Sequence, residues 1–162
     1  MAAYLPKVNL LFGMNRFADA ECELREALAK NPDDALAHAM LAVALSRLKK
    51  LPEALKESQK AIGLNPTSAY VFYARSLIFI RADRSSDALC AIRNAIQLDA
   101  TDPDYLHILA ALLFDNRDWS ECIATLDRAL SIDPQHVAVL TLRGRALLRV
   151  GRGWGSCCQC KR

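Results

Sequence analysis

Three cysteines crowd the last stretch of this 162-residue chain, Cys157, Cys158 and Cys160. Thiolates that close together are soft ligands for Zn(II) or Cu(I), or partners in redox exchange. Structural zinc, however, takes two CxxC-like pairs or added histidines, and CCxC supplies three sulfurs without a fourth ligand. No metal and no cofactor are expected. Cys22, Cys90 and Cys122 are scattered and read as small apolar side chains. Nucleophilic catalysis would need a base and an orienting group beside one of them. His38, His107 and His136 lie in no motif, and the sequence contains no glycine-rich phosphate loop, HExxH or GxSxG. The chain therefore reads as non-catalytic, and recognition is left to its aromatic and cationic residues. Tyr70 and Tyr73 are the natural anchors, because tyrosine combines contact area with a hydroxyl at low entropy cost. Arg143, Arg145, Arg149 and Arg152 form a run that reads as a solvated helix face. Without interleaved aromatics to stack on bases, it does not argue for nucleic acid.

Composition agrees with a folded scaffold. Apolar residues make up 52% and charged residues 24%, far from a disordered composition. No apolar run is long enough to span a bilayer, so no membrane partner is expected. Pro6, Lys7 and Asn9 interrupt any secretory pattern at the start, which favours a cytoplasmic setting. The net charge is +3, but residues 142–162 hold six basic side chains and no acid. The rest of the chain is acidic overall and carries no electrostatic footprint for nucleic acid.

The residues that matter must be positioned by repeated elements. Ala27, Ala61, Ala95 and Ala129 recur every 34 residues, as do Leu28, Ile62, Ile96 and Leu130. Asn31-Pro32, Asn65-Pro66, Asp99-Ala100 and Asp133-Pro134 follow at the same period. Within one period, Ala88, Leu89, Ile92, Ala95, Ile96 and Leu98 share a face at helical spacing while Arg93, Asn94 and Gln97 point away. Tyr70–Ile80 and Tyr105–Phe114 are apolar on more than one side, as befits helices between two neighbours. Each period thus holds a broadly apolar helix followed by an amphipathic one. Asp118-Trp119-Ser120-Glu121 reads as a capping box, Pro52 as a first-turn proline, and Asp102-Pro103 as an N-cap followed by a helix-starting proline.

On these features the chain resembles the tetratricopeptide repeat (TPR) family, whose 34-residue unit is a helix–turn–helix. Its small places are filled by Ala20, Ala54, Ala88 and Cys122, and by Val8, Ala42, Ser76, Ala110 and Gly144. Its large ones are filled by Leu11, Leu45, Phe79, Leu113 and Leu147. Small residues are needed where helix backbones approach most closely, so a leucine at Ala95 or Ala129 would push two helices apart. Ser58, Ser85 and Ala100 depart from the pattern and mark softer repeats. The resemblance implies an all-α, right-handed TPR superhelix, an α-solenoid of about four repeats plus one extra C-terminal helix. The repeats fall near 1–34, 35–68, 69–102 and 103–136, with a partial fifth at 137–152 and an irregular Cys/Gly-rich tail at 153–162. Two readings of that partial repeat stand: a capping helix, or an array interrupted before its next helix. The spread of Leu140, Leu142, Leu147 and Leu148 around the helix favours the second.

The resemblance also implies a concave groove that takes a peptide or protein segment. Its lining includes Leu36, Val43, Tyr70, Tyr73, Leu77, His107, Phe114 and Arg145, with Asn9 added from the first repeat. Co-chaperone members of the family carry a carboxylate clamp of Lys, Asn and Arg. Here the corresponding residues are Leu5, Asn9, Met40, Tyr70 and Ala74, of which only Asn9 fits, so capture of a chain-terminal carboxylate is disfavoured. The expected function is a non-catalytic scaffold with a protein or peptide ligand. The alternative is a regulatory or substrate-docking portion of a longer enzyme. An uncovered array end also allows self-association.

Overall fold

The computed structural model describes residues 3–155, and among these it contains nine α-helices and no strand. The chain divides into two compact units, Met1–Leu98 and Asp99–Arg162. The first holds α1 (Leu5–Gly13), α2 (Phe17–Lys30), α3 (Ala35–Arg47), α4 (Leu51–Leu64), α5 (Ala69–Arg81) and α6 (Ser85–Leu98). The second holds α7 (Pro103–Asp115), α8 (Trp119–Ile132) and α9 (Val137–Gly155). Helix α9 continues past the boundary expected at 152. One glycine lowers helix propensity by only about 1 kcal/mol, and adding a residue to an existing helix is far easier than starting one. Cys157, Cys158 and Cys160, with the rest of the expected tail from 156 onward, lie outside the described residues.

The 34-residue period becomes a repeated set of turns. Asn31, Asn65 and Asp133 end helices in extended backbone, φ −137°, −142° and −128°. A following proline excludes the helical conformation at each of them. Where Ala100 replaces proline, Asp99 keeps the turn through its side chain. Its Oδ1 accepts from the Thr101 amide at 2.9 Å and from the Thr101 hydroxyl at 2.7 Å.

The turn inside each repeat has another origin. Asn15, Lys49, Asp83 and Arg117, again 34 apart, are left-handed, with φ between 57° and 65°. Immediately after them, the amides of Arg16, Lys50, Arg84 and Asp118 donate to the carbonyls of Leu11, Leu45, Phe79 and Leu113 at 2.8–2.9 Å. This is the six-to-one closure of a helix end by its own main chain. It takes the place of the expected Asp118 capping box, whose side chain makes no cap bond. Asp118 has ψ 68°, whereas Asp34 and Asp102, at 96° and 115°, reach the amides of Ala37 and Asp104. The tight closure holds Asp118 too far from extended backbone for its carboxylate to turn over the helix start.

Burial follows the small and large series. Ala20, Ala54, Ala88, Cys122, Ala61, Ala95 and Ala129 are fully buried. In the first unit, α3 packs against α2, α4 and α5, and every residue from Ala37 to Ser46 is buried. Ser58 stands where Leu24, Ile92 and Leu126 stand in the other repeats, and its hydroxyl donates to the Leu55 carbonyl at 2.8 Å. In the second unit α9 packs on α7 and α8 through Val139, Leu142 and Ala146.

Candidate functional site

The nine expected groove residues divide between the two units, with Asn9, Leu36, Val43, Tyr70, Tyr73 and Leu77 in the first and His107, Phe114 and Arg145 in the second.

In the first unit Val43 does not line a surface. It is 7% exposed and sits in a core cluster with Ala39, Ala61, Val71 and Ala74. The cause is the company it keeps: Ala39 and Ala74 leave room for Phe12 from α1 and for Tyr70 and Leu77 from α5 to pack against the cluster. These covering side chains are half-buried. The Tyr70 and Tyr73 rings lie 5.9 Å apart, tilted by 47°. Leu36 is half-buried against the neighbouring core cluster, and Asn9 is exposed on α1. Sequence reasoning overlooked Phe12, although it stands in the same place of the first repeat as Phe114 in the fourth. Two further groups tie this unit together. The Tyr4 hydroxyl donates to Asp34 Oδ2 at 2.9 Å, while Asp34 Oδ1 caps α3. Burial, then the bond to Asp34, pushes the Tyr4 phenol well above its ordinary range.

In the second unit His107 and Phe114 are half-buried on α7 and Arg145 is exposed on α9. The Arg145 guanidinium lies over the Phe114 ring, 5.0 Å from its centre, and Phe114 meets Trp119 edge to face at 5.1 Å. The His107 and His136 rings are 6.0 Å apart, and His136 Nε2 lies 3.0 Å from Asp104 Oδ1. Burial, helped by His136, lowers the His107 pKa against the opposing pull of Asp104. At neutral pH the His107 ring is uncharged. No three metal-ligating side chains converge among the described residues.

The pattern of paired helices and recurring turns agrees with the comparisons. Residues 5–69 match the family model described as a tetratricopeptide repeat. Residues 5–69 are tetratricopeptide repeats, and the chain has the TPR fold. This TPR chain is 28% identical over 100 residues to Hsp70-Hsp90 organizing protein 1 of Glycine max, covering 62% of its own length and 18% of that protein's. It is 31% identical over 88 residues to tetratricopeptide repeat protein 7B of Homo sapiens, covering 54% of its own length and 10% of that protein's. The TPR chain thus spans less than a fifth of either curated relative. Among solved structures, PilF of Pseudomonas aeruginosa superposes with a TM-score of 0.80 at 20% identity, over 93% of this chain and 68% of that one. That likeness establishes the TPR fold.

Proposed function

We propose that this TPR protein is a non-catalytic interaction scaffold that binds a protein or peptide segment on the helical face carrying Tyr70 and Tyr73. The observation that carries this reading is the pair of half-buried tyrosines flanked by Phe12 and Leu77, an aromatic surface on a rigid helical base. Rings held this way contribute large contact area with little further loss of side-chain freedom on binding. Similarity to a protein named for organizing Hsp70 and Hsp90 supports a scaffold role. Capture of a terminal carboxylate is a poor fit here, because Met40 and Ala74 occupy two clamp places and are buried, apolar and uncharged. His107, Phe114 and Arg145 offer a second contact surface on the other unit. The short span against longer relatives fits a docking portion of a larger protein. Free, exposed Cys22 and Cys90 fit a reducing cytoplasm. No helix among the described residues is long and apolar enough to cross a membrane.

The test is affinity capture from the source lysate, comparing the natural chain with Tyr73→Glu after circular dichroism has shown equal helicity. A partner retained by the natural chain and lost by the variant supports the reading. An unchanged set of captured proteins overturns the placement on α5.

One observation favours self-association as an additional property. Val137, Leu140, Leu147 and Leu148 on α9 are 43–75% exposed, an apolar surface suited to a second copy. Sedimentation velocity at rising concentration would give a dimer lost in Leu148→Glu; a monomer at all concentrations refutes it.

A further inference from the structure

The second unit contains a cleft whose lining shares only Phe114 with the expected groove residues. Two adjoining hollows of about 590 and 460 Å³ share Arg117, Trp119 and Arg149. Their apolar lining is Phe114 from α7, Ile123 from α8 and Val150 from α9. The edge-to-face contact with Phe114 at 5.1 Å packs the Trp119 indole against the wall.

The charges are arranged unevenly. Arg143 already has a partner, donating from Nε to Asp127 Oδ1 at 2.6 Å. Among the described residues no carboxylate pairs with Arg117, Arg145 or Arg149. Arg145 instead lies over the face of Phe114, which leaves its guanidinium edge open to an acceptor. Asp115 and Asp118 also line the hollows, but neither pairs with these guanidiniums. Helix α9 carries four arginines and no acid. An unpaired guanidinium beside an aromatic surface is matched by a carboxylate next to an apolar side chain, which it binds through two parallel hydrogen bonds.

We propose that this cleft between α7, α8 and α9 docks an internal acidic segment of a partner protein. An aromatic or aliphatic side chain of that segment packs on Phe114, Trp119 and Val150. Flanking carboxylates pair with Arg149, Arg117 and Arg145. The site stands on the second unit alone and does not depend on the tyrosine face of the first.

Fluorescence anisotropy with a synthetic peptide tests it directly. The probe is a fluorescein-labelled peptide of alternating Glu, Asp, Phe and Leu with an amidated C-terminus, so that no terminal carboxylate contributes. Saturable binding is expected. Arg149→Glu should weaken it by about tenfold or more, and so should replacing the peptide's acids with Gln and Asn. Lys56→Glu on α4, with the same change in net charge, and Tyr73→Glu should each leave it within about twofold. Equal losses in Arg149→Glu and Lys56→Glu would mean only a net-charge effect and overturn the proposal. So would tighter binding of a single-stranded oligonucleotide than of the peptide, or undiminished binding of the Gln and Asn version. Loss in Tyr73→Glu alone would also overturn this site and assign the peptide to the first unit's face.

Discussion

His38 Nδ1 lies 2.6 Å from Glu57 Oε2, while Nε2 of the same ring lies 2.9 Å from the Pro32 carbonyl. One buried imidazole thus joins α3 to α4 and to the turn that precedes α3. Glu57 also receives Lys60 Nζ at 2.9 Å. Burial alone would raise the Glu57 pKa, but the bonds from Lys60 and His38 outweigh it and hold the carboxylate below its ordinary value of 4.5.

A pH dependence follows from that depressed carboxylate. Its stabilising contribution is fully present above about pH 4.5 and is lost as acid titrates it through its lower folded value. Glu57→Gln should therefore be less stable than the natural chain at pH 7, by about 1–3 kcal/mol. The two should converge as the pH drops below the carboxylate range. Urea midpoints measured from pH 7 to pH 3 give the comparison, and parallel curves at all pH values would refute it.

Two corners are strained without need. Lys49 and Arg117 hold φ of 64° and 65°, a conformation that costs a side chain about 1–2 kcal/mol and glycine almost nothing. Lys49→Gly should stabilise the chain by about 0.5–1 kcal/mol, once the greater freedom of unfolded glycine is subtracted. Thermal unfolding checks this, and a lower Tm in Lys49→Gly would contradict it.

Ala110 and Gly144 hold equivalent places in consecutive repeats but in opposite surroundings. Ala110 is fully buried, whereas a Cβ added at Gly144 meets no atom within 4 Å. Ala110→Leu should cost about 1–3 kcal/mol through overpacking. Gly144→Ala should instead gain about 1 kcal/mol from helix propensity alone. Equal effects of the same sign in denaturant titrations would show that the two places are not so different.

Cysteine reactivity should separate by burial. Cys122 is fully buried, its Sγ donates to the Ala110 carbonyl at 3.3 Å, and burial pushes its thiol pKa up. Cys22 and Cys90 are exposed. Brief alkylation of the native chain followed by peptide mass mapping should label Cys22 and Cys90 and spare Cys122. Adding urea should expose it, and rapid native labelling of Cys122 would contradict the packing of α8.

Much of the architecture was legible because its causes are local and repeated. The Asx-Pro pairs exclude helix at a fixed interval, and the alanine series must lie where helices touch. The corners within repeats were not legible, since main-chain bonds close them and no glycine announces the left-handed residue. Val43 was misplaced for a different reason. A periodic rule assigns each helix the same outward face, but the small residues of α3 let Phe12, Tyr70 and Leu77 pack over that face. The basic run on α9 was read as a solvated face, and Arg145 and Arg149 are exposed; its aromatic neighbours, Phe114 and Trp119, were not legible because they belong to other helices.

The main-chain closure of each repeat corner has a further consequence. Because the turn is secured by amides and carbonyls, the residue at its apex can be Asn, Lys, Asp or Arg with the backbone path unchanged. The apex is a socket whose occupant is interchangeable. In the second unit that occupant is Arg117, which lines the cleft beside Trp119. Ligand preference at such a corner can therefore be rewritten one residue at a time while the helices on either side keep their places.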